Sequence, residues 1–316
     1  MSDVLHVTEL TKHYPGPRGA ATVRAVDGIE FSVREGEIFG FLGPNGAGKT
    51  TTIRMLTGLT RPTAGRAQVL GLDLARDVTR IKKRIGVVPE VSNLYDELSA
   101  FDNLVFSMQL YGVRRRERKA RAEELLARFR LSEKRDTPFA KLSRGMKRAL
   151  TIATALAHRP ALLFLDEPTT GLDVMSARSL RSMIAQLRDV GVTIFLTTHY
   201  LEEAERLCDR IAILVRGRIV ALDTLDGLKG DAQRDVTLEV TTASLTNPIQ
   251  TFRLTGDNVE ATLRAALAQV EAAGGRVLAV NTIRPTLEDV FVRLTGLSAE
   301  VMLAEKGGKG VGNAGG

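Results

Sequence analysis

The sequence predicts an α/β fold in which a mostly parallel sheet carries an antiparallel β subdomain and a helical subdomain, followed by a small α+β domain. Four short apolar runs, EIFGFLG, IGVVPE, ALLFLDEP and TIFLTTH, are separated by helical stretches, as in a parallel sheet covered on both faces. Residues 4–41 instead alternate apolar and polar side chains in short runs, which predicts antiparallel strands. After the glycines of GLKGD the pattern changes again, and this change predicts a second domain.

The predicted domains are residues 4–228, with a helical subdomain at about 95–160, and residues 229–298. The section around 95–160 is too long for one crossover helix, and RIAILVRGRIVAL predicts a hairpin that turns at Arg216–Gly217. In the second domain, DVTLEVTT, TFRLTG and RVLAVNTI are predicted strands that alternate with two helices. Residues 299–316 contain too few apolar groups to offset the entropy cost of ordering, so we predict a disordered tail.

The composition narrows the class of protein. The 316 residues are 44% hydrophobic and 26% charged, enough for a core and a soluble surface, and the single cysteine excludes a disulfide framework and fits a reducing compartment. Neither a signal peptide nor an apolar run of about 18–20 residues is visible, so we expect a cytoplasmic chain that reaches a membrane only through a partner. The net charge of +7 is compatible with binding to nucleic acid or to anionic lipid. The basic segment 112–130 is nevertheless interpreted as an amphipathic helix with a solvated face rather than a phosphate-binding patch.

The stretch GPNGAGKT lies between a predicted strand and a predicted helix and satisfies the G-x-x-x-x-G-K-[ST] pattern of a phosphate-binding loop. Glycines let backbone N–H groups turn towards phosphates, and the following helix directs its N-terminal dipole at the same anion. Lys49 supplies a charge for the β- and γ-phosphates, and the Thr50 hydroxyl is a hard oxygen ligand for Mg²⁺. The predicted nucleotide-binding residues of this phosphate loop are Gly43, Pro44, Asn45, Gly46, Ala47, Gly48, Lys49, Thr50 and Thr51.

Two further strands end on residues suited to hydrolysis. ALLFLDEP puts Asp166 at the carboxyl end of a buried strand, where open α/β sheets bind ligands, and Asp166 is expected to hold Mg²⁺ directly or through water. Glu167 is then placed to orient or deprotonate the attacking water. TIFLTTH ends on His199, which we expect to bond the γ-phosphate or the water rather than to act only as a structural histidine.

These motifs, in this order, resemble the ATP-binding subunit of an ABC (ATP-binding cassette) transporter over residues 4–228. The resemblance implies a P-loop NTPase fold of the ABC type, ATP and Mg²⁺ as ligands, and two cassettes packed head to tail. LSRGM, residues 142–146, stands at the family's signature motif and is termed the signature turn below. Ser143 is a good N-cap for the helix that follows, so Ser143 and the Gly145 amide can grip a γ-phosphate presented by the second copy.

The resemblance also assigns roles to residues outside these motifs. Tyr14 matches the aromatic that stacks on adenine, although it could equally pack on its strand, and Asp173 lies in the loop that crosses between cassettes. Glu90 stands where the family usually has glutamine, and its carboxylate still offers an oxygen to Mg²⁺. The usual form of the signature is Leu-Ser-Gly-Gly-Gln, so Arg144 replaces its first glycine and Met146 replaces its final glutamine. Lys49 and the strand-end residues are intact, so we expect active hydrolysis.

RPTLEDVFVRLTG, residues 284–296, resembles the C-terminal signature of bacterial export cassettes similar to daunorubicin and multidrug-resistance ATPases. Thr286 followed by Glu288 and Asp289 also predicts a capped helix. The family resemblance implies an ATPase subunit that powers export of a drug-like or lipid-like cargo through a separate permease, on the cytoplasmic face of the membrane, with no nucleic-acid partner. The alternatives are a soluble cassette ATPase of nucleic-acid repair or translation, and a non-catalytic regulatory cassette. The pattern leaves open whether the two cassettes are identical.

Overall fold

A computed structural model describes residues 2–16, 21–230, 236–243, 249–283 and 286–297. The chain forms two compact units, and the division falls between Leu222 and Asp223. This position is a few residues before the predicted boundary at 228/229, because a short helix at Leu225–Gly230 packs within the second unit. The predicted disordered tail lies outside the described residues.

The N-terminal part of the first unit combines an antiparallel sheet with the first strands and helices of a central sheet. Its elements are β1 (Asp3–Tyr14), β2 (Val23–Arg34), β3 (Ile38–Leu42), α1 (Lys49–Leu56), β4 (Ala64–Val69), β5 (Leu72–Asp73), α2 (Val78–Lys82) and β6 (Ile85–Val88). The strands β2-β1-β4-β5 form the antiparallel sheet in that order. The alternating pattern of residues 4–41 therefore predicted antiparallel pairing correctly up to β3, which joins the central sheet.

The section predicted to be helical contains α3 (Ala100–Leu110), α4 (Arg115–Arg128) and α5 (Arg144–Ala155). The basic segment 112–130 forms α4, which buries Ala122, Leu125 and Leu126 and leaves most of its cations exposed. The interpretation of this segment as an amphipathic helix with a solvated face is confirmed.

The central sheet is completed by β7 (Leu162–Asp166), α6 (Val174–Asp189), β8 (Thr193–Thr198), α7 (Leu201–Leu207), β9 (Arg210–Val215) and β10 (Arg218–Thr224). Its strand order is β10-β9-β3-β8-β7-β6, and β9, β3, β8, β7 and β6 pair in parallel. The strands β9 and β10 are the predicted hairpin around Arg216–Gly217. Parallel pairing brings the carboxyl ends of β3, β6, β7 and β8 to one edge of the sheet.

The core of the first unit lies between its two sheets. Phe31 of β2 stacks on Phe39 of β3 with ring centroids 5.4 Å apart, and Phe195 of β8 contacts both rings. Fully buried aromatic side chains contribute both large apolar areas and preferred ring geometries. This packing fixes the antiparallel sheet against the strands that carry the predicted site.

The second unit is a three-stranded sheet packed with helices. It contains α8 (Leu225–Gly230), β11 (Val236–Ala243), β12 (Gln250–Gly256), α9 (Val259–Ala272), β13 (Arg276–Ile283) and α10 (Leu287–Thr295). The strand order is β12-β11-β13, all antiparallel. Thr286 and Asp289 form a reciprocal capping box at the start of α10, as the sequence predicts.

Among the described residues, no helix combines the length and apolarity needed to cross a membrane.

Candidate active site

The phosphate loop follows β3 and leads directly into α1, which begins at Lys49. Gly46 and Gly48 adopt positive φ angles of 80° and 112°, a region that side chains disfavour. A Cβ atom at Gly48 would also lie 2.4 Å from the Ala25 carbonyl oxygen. The loop therefore depends on glycine for both conformation and space.

A cavity of about 270 Å³ opens at this loop. It is polar, as a phosphate site requires, and the residues that line it include Gly46, Gly48, Lys49, Thr50, Glu90 and Glu167. The structure thus brings the predicted loop, the predicted general base and a predicted metal ligand to one cavity.

Lys49 lies at the centre of the site and is only 4% exposed. Its Nζ atom donates to the Gly43 carbonyl at 2.6 Å and the Pro44 carbonyl at 3.1 Å, and it lies 3.1 Å from Glu167 Oε1. Burial lowers the pKa of the Lys49 ammonium, and the Glu167 carboxylate opposes that shift. The ammonium is therefore held in the loop by backbone acceptors and by one carboxylate.

Glu167 follows β7 in a left-handed conformation with φ of 46°, which is uncommon for a side chain larger than glycine. Its backbone N–H donates to the Thr197 carbonyl of β8 at 3.0 Å. Burial raises the pKa of Glu167, but the hydrogen bond from His199 and the Lys49 charge outweigh that effect and hold it at about 2. The carboxylate is consequently ionised at neutral pH.

Two side chains fix the Glu167 carboxylate besides Lys49. His199 Nδ1 lies 2.9 Å from Glu167 Oε2, and Thr170 Oγ1 donates to the same oxygen at 3.2 Å. Because an ionised carboxylate only accepts hydrogen bonds, His199 Nδ1 carries the hydrogen of this contact. The structure therefore joins Lys49, Glu167 and His199, which were predicted separately, into one buried cluster.

Asp166 ends β7 and is 4% exposed. Its Oδ1 atom accepts from Thr197 Oγ1 at 2.6 Å and from Thr50 Oγ1 at 3.4 Å. A hydroxyl and a carboxylate that converge in this way suit Mg²⁺, which usually takes one or two protein groups together with substrate phosphates. No cluster of three or more acidic, histidine or cysteine side chains able to hold a metal occurs in the described part of the chain.

Arg148 of α5 is a functional candidate that the sequence reasoning missed. Its buried guanidinium donates to the Asp166 carbonyl at 2.7 Å and the Glu167 carbonyl at 3.1 Å. It also donates to the Pro168 and Glu90 carbonyls, at 2.8 and 3.2 Å, and to the Pro89 carbonyl. Burial lowers the pKa of Arg148 to about 10, so the group remains charged at neutral pH. One side chain thus ties the loop after β6 to the end of β7.

The signature turn lies at the N-terminus of α5. Ser143 is the N-cap, as predicted, and its Oγ atom accepts from the Met146 amide at 3.3 Å. Ser143 and Gly145 line a different cavity, of about 240 Å³, whose lining also includes Ser176 of α6. In this chain the signature turn and the phosphate loop therefore line separate cavities.

Other predicted residues occupy more peripheral positions. Asp173 caps α6 by accepting from the Ser176 amide at 2.9 Å and the Ser176 hydroxyl at 2.7 Å, which lowers the pKa of Asp173. Tyr14 ends β1 with a half-buried ring, and the Lys12 ammonium lies 5.0 Å from the ring centroid. The role of Tyr14 in adenine stacking stays a prediction, as does that of Asp173 between cassettes.

Two sequence signals could have identified the missed residues. Arg148 stands among Ala149, Leu150 and Ile152 on the buried side of α5, and a cation in such a position needs partners. Thr197 is a polar residue inside a fully buried strand. Both signals indicate buried polar contacts, but neither names the partner.

Comparison with known proteins places this geometry in a family. The sequence model of the family described as "ABC transporter" matches residues 26–170. A daunorubicin resistance ATP-binding protein from Streptomyces coeruleorubidus is 39% identical over 297 residues, covering 88% of this chain and 92% of the relative. A Nod factor export ATP-binding protein from Ralstonia nicotianae is 38% identical over 321 residues, covering 93% and 94%.

A solved dimeric ATP-binding cassette, in a post-hydrolysis state bound to ADP and Pi, superposes with a TM-score of 0.64 at 26% identity. The superposition covers 70% of this chain and 98% of the solved cassette chain. These matches confirm the predicted fold class and the predicted ATPase activity, and they do not favour the nucleic-acid alternative. The chain belongs to the ABC transporter family, as one of its ATP-binding, ATP-hydrolysing subunits.

Proposed function

We propose that this cassette powers export through a separate membrane permease, and that it does so as a dimer in which two chains enclose each ATP. The observation that carries the proposal is the buried cluster of Lys49, Glu167 and His199 beside the phosphate-loop cavity. That cluster has the charges and donors needed to hold a triphosphate and direct a water molecule at it.

The first step is phosphate binding. Backbone N–H groups of the phosphate loop and of the N-terminus of α1 donate hydrogen bonds to the phosphate oxygens, and Lys49 adds a full positive charge. Thr50 and Asp166, with Glu90 at the cavity wall, would hold Mg²⁺, which neutralises charge on the phosphates when bound. Lys49 then shares its charge between the γ-phosphate and Glu167. This sharing weakens its hold on the Glu167 carboxylate and increases the proton affinity of that group.

The second step is attack by water. Glu167 acts as the general base or orients the water, while the His199 Nδ1–H and the Thr170 hydroxyl keep its carboxylate in place. Because Nδ1 is engaged by Glu167, any contact of His199 with the γ-phosphate would be made through Nε2. The left-handed backbone at Glu167 is maintained by its bond to Thr197.

Closure of the dimer supplies the remaining contacts. The signature turn of one chain presents the Ser143 hydroxyl and the N-terminal amides of α5 to the nucleotide held by the other chain. A ligand shifts a conformational equilibrium only through its different affinities for the two states. The γ-phosphate provides that difference, since ADP cannot make these contacts.

The names of the relatives support a proposed direction of transport and a proposed type of partner. Curated relatives are named for daunorubicin resistance and Nod factor export, which supports export as the direction of transport. We therefore infer a permease on separate chains, a second cassette copy, and a position on the cytoplasmic face of the membrane. The cargo contacts the permease rather than this chain.

The variant Glu167→Gln tests the assignment of the base. We expect ATP binding to persist, turnover to fall by about 10²- to 10⁴-fold, and an ATP-dependent dimer to accumulate. Phosphate release and size-exclusion chromatography with and without ATP measure these outcomes. Glu123→Gln, at an exposed position of α4, is the control and should behave like the unmodified protein. Normal turnover by Glu167→Gln would exclude Glu167 as the base.

A further inference from the structure

Arg144 is the third residue of the signature turn, at a position where the family usually has glycine. Its Nη1 atom donates to the Gly171 carbonyl at 2.6 Å, although both residues are exposed. Gly171 has a positive φ of 73°, and a Cβ atom there would lie 3.2 Å from Arg144 Nη1. The guanidinium therefore packs closely on the 168–173 loop of its own chain.

The same loop holds the Glu167 carboxylate. Thr170, which precedes Gly171, donates its hydroxyl to Glu167 Oε2 at 3.2 Å and its backbone N–H to the Glu167 carbonyl at 3.3 Å. Arg144 is thus connected to Glu167 by a continuous path. It runs through the hydrogen bond to Gly171, the backbone between Gly171 and Thr170, and the hydrogen bond from Thr170 to Glu167.

A second contact keeps the two segments together. A Cβ atom at Gly145 would lie 2.8 Å from Ser176 Oγ, so the N-terminus of α5 packs closely on the first turn of α6. Asp173 holds that turn through both the amide and the hydroxyl of Ser176. A displacement of the signature turn would therefore carry the 168–173 loop with it.

We propose that Arg144 is a positioning residue that couples the two ATP sites of the dimer. It transmits the seating of the partner's γ-phosphate on the signature turn to Glu167 of its own chain, through Gly171 and Thr170. The inference rests on the proposed function, because the signature turn senses a nucleotide only within a two-chain site. The competing role is a direct contact between Arg144 and the partner's γ-phosphate.

Mixed dimers separate the two roles, because each places the effect of Arg144 in a different site. In the reference dimer, one chain carries Glu167→Gln and the other is unmodified, so a single site hydrolyses ATP. Two affinity tags isolate the mixed species, and phosphate release at saturating ATP measures its rate. Both test arrangements add Arg144→Met, which keeps an apolar side chain of similar length but removes the donor and the charge.

In the first arrangement, Arg144→Met is on the chain that keeps Glu167. If Arg144 couples the two sites, the rate should fall by about three- to tenfold, although the substituted position faces the inactive site. In the second arrangement, Arg144→Met and Glu167→Gln are on the same chain, and the rate should equal that of the reference. Arg144→Lys in the first arrangement should restore most of the rate, because it again offers a donor to Gly171.

Three results would overturn the proposal. Loss only in the second arrangement would show a direct contact with the partner's γ-phosphate. Equal loss in both would show a general loosening of the signature turn, and no loss in either would show that Arg144 couples nothing. Lys141→Met, which removes an exposed cation next to the same turn, is the matched control and should leave both rates unchanged.

The reference dimer shows whether a negative result concerns the coupling role of Arg144 or the proposed function itself. If ATP does not assemble the unmodified and Glu167→Gln chains into a dimer, the two-chain site is wrong and the coupling falls with it. If the dimer assembles and hydrolyses ATP but the arrangements do not differ as expected, only the role of Arg144 is wrong.

Discussion

At the scale of single residues, Arg148 shows how one buried side chain can hold the loops of the candidate site through backbone carbonyls alone. Its guanidinium satisfies five backbone carbonyls around Asp166 and Glu90, at the ends of two strands. Buried carbonyls without donors are costly, so the loops depend on this group. The same cation also offsets the negative charge of the nearby carboxylates.

Arg148→Met is expected to lower the free energy of unfolding by about 3 kcal/mol, because several buried carbonyls lose their donor at once. Denaturant unfolding measured on the full chain provides this value, and turnover should also fall as the end of β7 relaxes. Arg115→Met, at an exposed position of α4, is the control and should stay within about 0.5 kcal/mol of the unmodified protein. Equal stability of the two variants would contradict the role of Arg148.

At the scale of elements, the N-termini of α5 and α6 form one packed pair. Ser143 and Asp173 cap these helices through N–H groups of the respective first turns. The close approach depends on Gly145, whose missing side chain leaves room for Ser176. The two helix starts thus hold the signature turn against the loop that leads from Glu167.

Gly145→Ala should separate this pair, because the added Cβ atom would lie 2.8 Å from Ser176 Oγ and 3.0 Å from Ser176 Cβ. Overpacking of this kind costs about 1–3 kcal/mol in the free energy of unfolding. We expect hydrolysis to decrease while nucleotide binding to the isolated monomer is retained. Fluorescent-nucleotide titration and phosphate release measure the two effects.

The double variant Gly145→Ala with Ser176→Gly provides the internal control for the packing argument. Removal of the Ser176 side chain makes room for the new methyl group. A double-mutant cycle of the two substitutions should therefore show that the double variant loses less stability than the sum of the two single variants. Additive losses would mean that the Gly145 effect has another cause. Gly230→Ala, where a Cβ atom meets nothing within 4 Å, should leave hydrolysis unchanged.

At the scale of the whole molecule, the proposed dimer implies that each chain contributes one part to each of two ATP sites. The phosphate loop and Glu167 line one cavity, and the signature turn lines another. In the proposed head-to-tail dimer, the phosphate loop of one chain would meet the signature turn of the other. A solved relative of this fold is dimeric. Hydrolysis should therefore depend on assembly.

Turnover per molecule is expected to increase with protein concentration and then reach a plateau. In dilute solution, where sedimentation shows only monomer, the rate should be lower by about 10²-fold, because the partner's Ser143 and helix N-terminus are missing from the site. Phosphate release across a dilution series measures this dependence. A constant rate per molecule down to the monomeric range would contradict the shared site.

Much of the fold was predictable because short-range patterns specify it. The apolar runs EIFGFLG, ALLFLDEP and TIFLTTH each became buried strands, and the caps at Ser143 and Thr286 start helices where the sequence predicts them. A polar residue at or directly after the end of a strand was enough to predict that Asp166 and His199 lie at the same edge of the sheet. These features depend on neighbouring residues, which a sequence displays directly.

The sequence by itself determined the phosphate loop, the set of strands that meet at one edge, and the chemical types of the groups there. Only the tertiary structure decided which of those groups contact each other. Examples are the 3.1 Å contact of Lys49 with Glu167, the carbonyls chosen by Arg148, and the bond from Arg144 to Gly171. Such pairs depend on strand order and helix packing between distant parts of the chain, and residue spacing does not encode which distant partner a buried polar group will meet.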